Sequence, residues 1–242
     1  MNTVALWSLA LVSFEHLTYE KWDTFGGWLR EARRVMTGSK RVALLFAVAA
    51  IVLGIAAFVA MAVKDQSYVP SATYAPVNEP NRKVAVVYYS RSGHSEAVAR
   101  EIARTFNAPI ARISAEYPLD FSGQGKAVSD AADNTLLRIE VEPIDLGPAR
   151  RVFLVSPTWM FRPATPLWAY VEQTDLTGKE VVLFTTGNSR FEQAEIDAFA
   201  KRIEAHGGRL VRHVFLRRGR IYWQMSREEL LAAVGEEMKD LR

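Results

Sequence analysis

The sequence predicts an α/β fold, a parallel sheet with helices on both faces, carried behind a single membrane-spanning helix. Three observations lead there. Residues 42–63 form an unbroken apolar run, residues 64–82 are proline-rich without periodicity, and from residue 83 short β-branched runs alternate with stretches of helical spacing. At roughly 150 residues per domain, a chain of 242 residues is one domain with something added.

Composition removes several classes of function. There is no cysteine, so disulfide scaffolds, thiolate metal sites and cysteine nucleophiles are excluded, and any redox chemistry must come from a bound cofactor. A formal charge of +3 with 24% charged residues is too evenly balanced to suggest nucleic acid, which calls for a concentrated basic patch. His16, His206 and His213 show no metal-ligand spacing, and neither HExxH nor GxSxG occurs. No metal site is therefore expected, and hydrolysis has no support.

Residues 1–41 combine Val4–Phe14, apolar but too short to span a bilayer, with Trp22, Phe25 and Trp28 set among Lys21, Arg30, Arg33 and Arg34. That mixture suits an amphipathic helix at a membrane surface. Met36, directly ahead of a short basic stretch and the apolar run, is an alternative start. Residues 42–63 read VALLFAVAAIVLGIAAFVAMAV; as a helix they would extend about 33 Å, enough for a hydrocarbon core of about 30 Å. Arg30, Arg33, Arg34, Lys40 and Arg41 crowd one flank, while Lys64 is the only basic residue in the seventeen that follow. The positive-inside rule then expects a cytoplasmic N-terminus and an extracytoplasmic C-terminal domain. Two export readings stay open beside it: Ala60-Met61-Ala62 resembles a signal-peptidase site, and Arg33-Arg34 is a weak twin-arginine signal. Residues 64–82, with Pro70, Pro76 and Pro80, read as a semi-extended tether.

Within residues 83–242, Lys83–Tyr89 (KVAVVYY) is a strand buried on both faces, and Ile110–Ile113, Arg151–Ser156, Glu180–Thr185 and Arg209–Leu216 are four more. Helices are expected over Ser95–Phe106, Pro166–Glu172, Glu192–His206 and Ser226–Leu241, with Gly207-Gly208 closing the third. Alternating strands and helices make a parallel sheet, whose ligands bind beyond the carboxyl ends of the strands.

Three loops lie there. Ser90-Arg91-Ser92-Gly93-His94-Ser95 offers hydroxyls, a glycine and free N–H groups at a helix start, a place for a phosphate; an ordinary serine N-cap fits it as well. No Walker A or GxGxxG follows the strand, and the partial GQGKAV at Gly123 follows none. Pro157-Thr158-Trp159-Met160-Phe161 puts three large apolar residues in a proline-braced loop, either a wall for an aromatic ring or packing beneath a helix. Thr186, Gly187, Asn188 and Phe191 offer small polar groups and one more aromatic, which suit the polar edge of a heterocycle or a simple helix-entry turn. Arg217-Arg218-Gly219-Arg220 reads as a solvated turn, with an anion-docking role as the alternative.

Together, VAVVYYSRSGHS, VFLVSPTWMFRPATP and DLTGKEVVLFTTG resemble the flavodoxin family in motif, order and spacing over about residues 83–220. The resemblance implies a flavodoxin-like, doubly wound five-stranded parallel sheet of order 2-1-3-4-5 with FMN at its edge. On that carry-over Ser90, Arg91, Ser92, Gly93, His94 and Ser95 hold the phosphate, and Pro157, Thr158, Trp159, Met160 and Phe161 flank the isoalloxazine, with Trp159 the stacking ring. Thr186, Gly187, Asn188 and Phe191 meet the pyrimidine side. The chain departs from the electron-shuttling members in two ways: the domain is not acidic, and Trp159-Met160-Phe161 lacks the glycine common beside the flavin. Both departures weaken the one-electron shuttle reading and leave open a two-electron reductase or a domain that keeps the fold without the flavin; Arg91 and His94, adding positive charge beside the phosphate, favour retention. The implied function is a membrane-anchored FMN protein exchanging electrons among NAD(P)H, a quinone or a partner protein, with a flavin-free tethered interaction module as the alternative.

Overall fold

A computed structural model describes residues 38–65, 67–220 and 223–241. The amphipathic segment, the twin-arginine pair and Met36 fall outside these residues. The chain divides into two compact units, Met1–Phe58 and Val59–Arg242.

Helix α1 (Gly38–Asp65) contains the apolar run. Among the described residues its stretch Gly38–Ala60 is the one helix long and apolar enough to cross a membrane, and none of it is buried inside the protein.

The remaining chain is built on five long strands, β1 (Val84–Tyr89), β2 (Ile110–Ser114), β4 (Arg151–Trp159), β6 (Glu180–Gly187) and β7 (Arg209–Arg217). They run parallel in the spatial order β2-β1-β4-β6-β7, the expected 2-1-3-4-5. Three short additions were not foreseen. Strand β3 (Glu140–Val141) adds antiparallel to the β2 edge, β5 (Arg162–Pro163) folds back on β4, and β8 (Gly219–Arg220) pairs with β9 (Trp223–Gln224).

Alternate residues of each strand feed two separate cores, which is why the strands read as continuous apolar runs. Val87, Leu154 and Leu183 pack with Leu167 and Val171 of α4 (Thr165–Glu172) and Phe199 and Ile203 of α5 (Gln193–Ala205). Val86, Phe153 and Phe184 pack on the opposite face with Val98 and Ile102 of α2 (His94–Phe106) and Leu230 and Val234 of α6 (Arg227–Lys239). Helix α6 opens with a capping box between Ser226 and Glu229, and Gly207, at φ +82°, turns the chain out of α5.

Helix α3 (Phe121–Ala132) was missed by the sequence reading, and it contains the GQGKAV stretch. Asp120 caps it by accepting from the Gly123 N–H. A side chain at Gly123 would meet the Pro118 carbonyl oxygen at 2.1 Å, so the glycine that weakens the helical signal is required for the helix to sit where it does.

Residues 67–82 lack regular structure, as expected of a tether, yet they are bound along their length. The Val69 N–H donates to the Ser92 carbonyl at 3.0 Å. Arg227 donates to the Val69 carbonyl and the Ser71 hydroxyl, and Arg100 donates to the Ser71 and Ala72 carbonyls, both at 2.8 Å. Further along, Asn107 exchanges hydrogen bonds with Val77 and donates to the Glu79 carbonyl. The segment is a strap: backbone groups of Val69, Ser71, Ala72, Val77 and Glu79 bond Arg100 of α2, Asn107 just after it, Arg227 of α6 and the Ser92 carbonyl.

Candidate functional site

The three loops meet in one cleft of about 240 Å³ at the carboxyl edge of the sheet. Ser90, Arg91, Ser92, His94, Ser95, Pro157, Thr158, Trp159, Met160, Thr186, Gly187 and Asn188 line it. Of the residues singled out from sequence, Gly93, Phe161 and Phe191 do not. Arg218, from the basic run after β7, lines it too, as do three residues of α3 that the sequence did not point to, Gln124, Ala127 and Val128.

In the first loop the Ser90 hydroxyl accepts from the Gly93 N–H at 3.0 Å. Gly93, at φ +88°, is itself the N-cap of α2, and no side chain caps the helix. The serine N-cap reading is thereby corrected: Ser92 does not cap, and the Ser95 hydroxyl shares a hydrogen bond with Thr186 Oγ1 at 2.8 Å. The helix start thus keeps backbone donors for an anion, with the dipole favouring negative charge. Gly93 acts from behind the loop. A Cβ there would lie 2.1 Å from the Val69 carbonyl oxygen of the strap, and no residue but glycine combines that approach with a left-handed φ. The Arg91 guanidinium braces the start of α3, donating to the Pro118 carbonyl at 3.1 and 2.6 Å and the Asp120 carbonyl at 2.9 Å.

The second loop is a two-residue hairpin. Thr158 pairs with Pro163 and Trp159 with Arg162, leaving Met160 at φ +47° and Phe161 at φ +67° as its tip. Positive φ at both central positions is the arrangement that Asn-Gly normally serves, so two bulky side chains here store backbone strain. The Trp159 ring is half-buried and meets Tyr89 and Tyr117 edge-on, with ring centres 5.4 and 4.7 Å apart. The indole therefore both lines the cleft and packs on the core. Met160 is 47% exposed, while the Phe161 ring lies under the Arg190 guanidinium at 4.7 Å. Burial pushes the Tyr117 hydroxyl up to about 12; it stays protonated, bonded to Asp130 and Thr165.

In the third loop Gly187 is dictated by space, since a Cβ would lie 2.3 Å from Thr158 Oγ1. The loop does not serve as a side-chain cap for the helix that follows: Glu192 is the N-cap of α5, without a side-chain bond. Phe191 turns to β7, edge-on to His213 at 4.7 Å and beside Phe215 at 5.3 Å. His213 Nε2 lies 2.7 Å from the Thr185 hydroxyl, and burial lowers its pKa to about 4.

Within the Arg217–Arg220 run Arg217 is exposed, as a solvated turn would have it, but Arg218 is only 5% exposed. Its N–H donates to the Gly187 carbonyl at 2.8 Å. Arg91, His94 and Arg218 line the cleft, and no carboxylate does. Glu96, in the first turn of α2, is buried but ion-paired with Arg100 at 2.5 Å and bonded by the Tyr68 hydroxyl. The donor set fits a phosphate-bearing, flat aromatic ligand: uncapped N–H groups, hydroxyls and cations at one end, an indole and two apolar side chains at the other. Among the described residues, no cluster of His, Asp and Glu could hold a metal ion.

Comparison with solved structures agrees with this architecture. A putative flavoprotein from Bacteroides eggerthii is 18% identical, covering 65% of this chain and 96% of its own, with a TM-score of 0.51. One from Bacteroides uniformis is 18% identical over 63% and 97%, also at 0.51. A flavoprotein from Lactobacillus acidophilus, solved in complex with FMN, is 21% identical over 55% and 92%, at 0.48. No curated protein sequence matches. The flavodoxin family model matches residues 83–223, more than half of the chain and all three loops, and the protein belongs to the flavodoxin family.

Proposed function

We propose that the cleft holds FMN and that the chain is a membrane-anchored flavin oxidoreductase, passing electrons from a reduced nicotinamide or a membrane partner to a quinone or protein acceptor. The observation that carries this reading is the convergence of the uncapped α2 start, the Trp159 hairpin and the Thr186–Asn188 turn on one cleft. The flavin, when bound, supplies the redox chemistry, and the protein supplies position and electrostatics. Ser92, Ser95 and the α2 N–H groups would hold the phosphate, Trp159 and Met160 the ring, and Thr186, Gly187 and Asn188 its polar edge. Val128 and Met160, both lining the cleft and about half exposed, give an apolar acceptor such as a quinone a surface to approach. Helix α1 would anchor the chain, with the domain extracytoplasmic by the charge bias of the flanks.

The full-length chain purified in detergent should show a flavin absorbance spectrum or acquire one on adding FMN; a protein that stays colourless would sink the reading. Trp159→Ala should weaken FMN binding about tenfold or more through lost stacking. C-terminal reporter fusions would establish the side of the membrane.

A further inference from the structure

We propose that the mouth of the cleft rests on the lipid surface that α1 enters, with Phe121, Val128 and Met160 seated among the headgroups; this rests on reading α1 as a membrane anchor and not on the bound flavin. The first support is the length of chain between anchor and cleft. The apolar run ends at Val63 and the helix at Asp65, and its last turns, from Val59, belong to the same compact unit as the strap and the sheet. Val69, four residues beyond the helix, is bonded to the Ser92 carbonyl at 3.0 Å. Four residues reach at most about 14 Å, and the Ser67 hydroxyl, donating to the Val63 carbonyl at 2.8 Å, shortens that reach. Compact domains of about 160 residues have a radius of gyration of about 15 Å, so the chain cannot pass from one edge of the sheet to the other within it. The carboxyl edge, where Ser92 lies, is the edge this short connection holds to the bilayer.

The second support is where exposed apolar side chains fall. Phe121 is 62% exposed, and Val128, two turns further along α3, shares its outer face. Val128 and the exposed Met160 line the cleft, and Phe121 follows Asp120, whose carbonyl Arg91 holds. Tyr68 and Val69, exposed as well, join the same edge through Glu96 and Ser92. Among the described residues outside α1, the other large apolar side chains left exposed are Val77, Leu136 and Val211, and none of these lines the cleft. Apolar groups gathered at one edge mark a contact surface, and aromatic rings close to where a helix leaves the bilayer suit its interface. An acceptor dissolved in the lipid would then meet the cleft without crossing water.

The chain has no cysteine, so a single introduced one can carry a fluorophore. Full-length Phe121→Cys, Met160→Cys and Val77→Cys, each labelled and reconstituted into phosphatidylcholine vesicles, are compared with and without lipid spin-labelled at the headgroup. Val77 is the control, because Asn107 at the end of α2 holds it at the amino edge of the sheet. Labels at 121 and 160 should lose about half or more of their fluorescence and the label at 77 less than about a tenth, since the headgroup layer is roughly 5–7 Å deep and the far edge lies a domain's width away. Equal quenching at all three positions, or none at 121 and 160, overturns the proposal. Shielding of those two labels that grows with protein concentration in detergent would make a second copy of the chain the occupant and overturn it as well. Should Phe121→Cys fail to fold, Met160→Cys, at an exposed hairpin tip, decides alone. A chain that alkaline carbonate strips from the vesicles overturns the anchor reading itself.

Discussion

The two ends of the cleft differ in how they are held. The Ser90–Ser95 loop is tied from within by Ser90 to Gly93, from below by Ser95 to Thr186, from the side by Arg91 and from behind by Val69. The Trp159–Phe161 hairpin has its first ring wedged against Tyr89 and Tyr117, but its tip carries an exposed methionine on a strained backbone. An end that recognises a fixed charge gains from groups already in place, because their ordering cost is met by folding. An end that meets a changing partner gains from adaptable apolar surface, which methionine supplies.

That contrast can be broken from the rigid end first. Gly93→Val combines a left-handed φ with a side chain driven into the Val69 carbonyl, and should cost about 2–4 kcal/mol of stability and weaken FMN binding about a hundredfold or more. Thermal melts and FMN titration would check both; a variant that binds FMN normally would show the loop to be softer than described.

The next effect is on stability, through the His213 ring behind the third loop. Its folded pKa of about 4 lies below the usual 6.5, so the unfolded chain binds more protons between those values. Stability is therefore full above pH 6.5 and is lost as pH falls toward 4. Allowing for partial exposure, the loss is about 2 kcal/mol, and His213→Gln should flatten this part of the pH profile of Tm.

The smallest change probes the adaptable end. Met160→Asn places a residue that tolerates positive φ at the hairpin tip. It should raise stability by about 0.5–1 kcal/mol, a Tm increase of roughly 2–4 °C, while leaving the preference for FMN over riboflavin, which lacks the phosphate, untouched. A fall in Tm would mean that the methionine packs more than its exposure implies.

Much of this architecture was legible in the chain. Strands β1, β4 and β6 feed cores on both faces, so their apolar runs are continuous and bounded, β1 and β6 by loops of small polar residues and β4 by a proline-braced loop. Helix α3 was not legible because Gly123 and Gly125 suppress its helical signal, although Gly123 is what lets it approach Pro118. With it went Gln124, Ala127 and Val128. Arg218 was hidden among three arginines, since a charge run does not reveal which member turns inward; only the pairing of its N–H with Gly187 does. Phe191 misled for the opposite reason: an aromatic after a ligand-bearing turn is equally at home against Phe215 and His213. The strap was illegible because side chains from elsewhere, Arg100, Asn107 and Arg227, hold its backbone, and that leaves no periodicity in its own sequence.

The strap also decides where tension would enter the fold. A pull on the chain from Ser67 does not reach the sheet first. It arrives at Tyr68, bonded to Glu96 of α2, and at Val69, where the backbone is pinned between Arg227 and Ser92, so the load falls early on the start of α2 and on the loop that would cradle the phosphate.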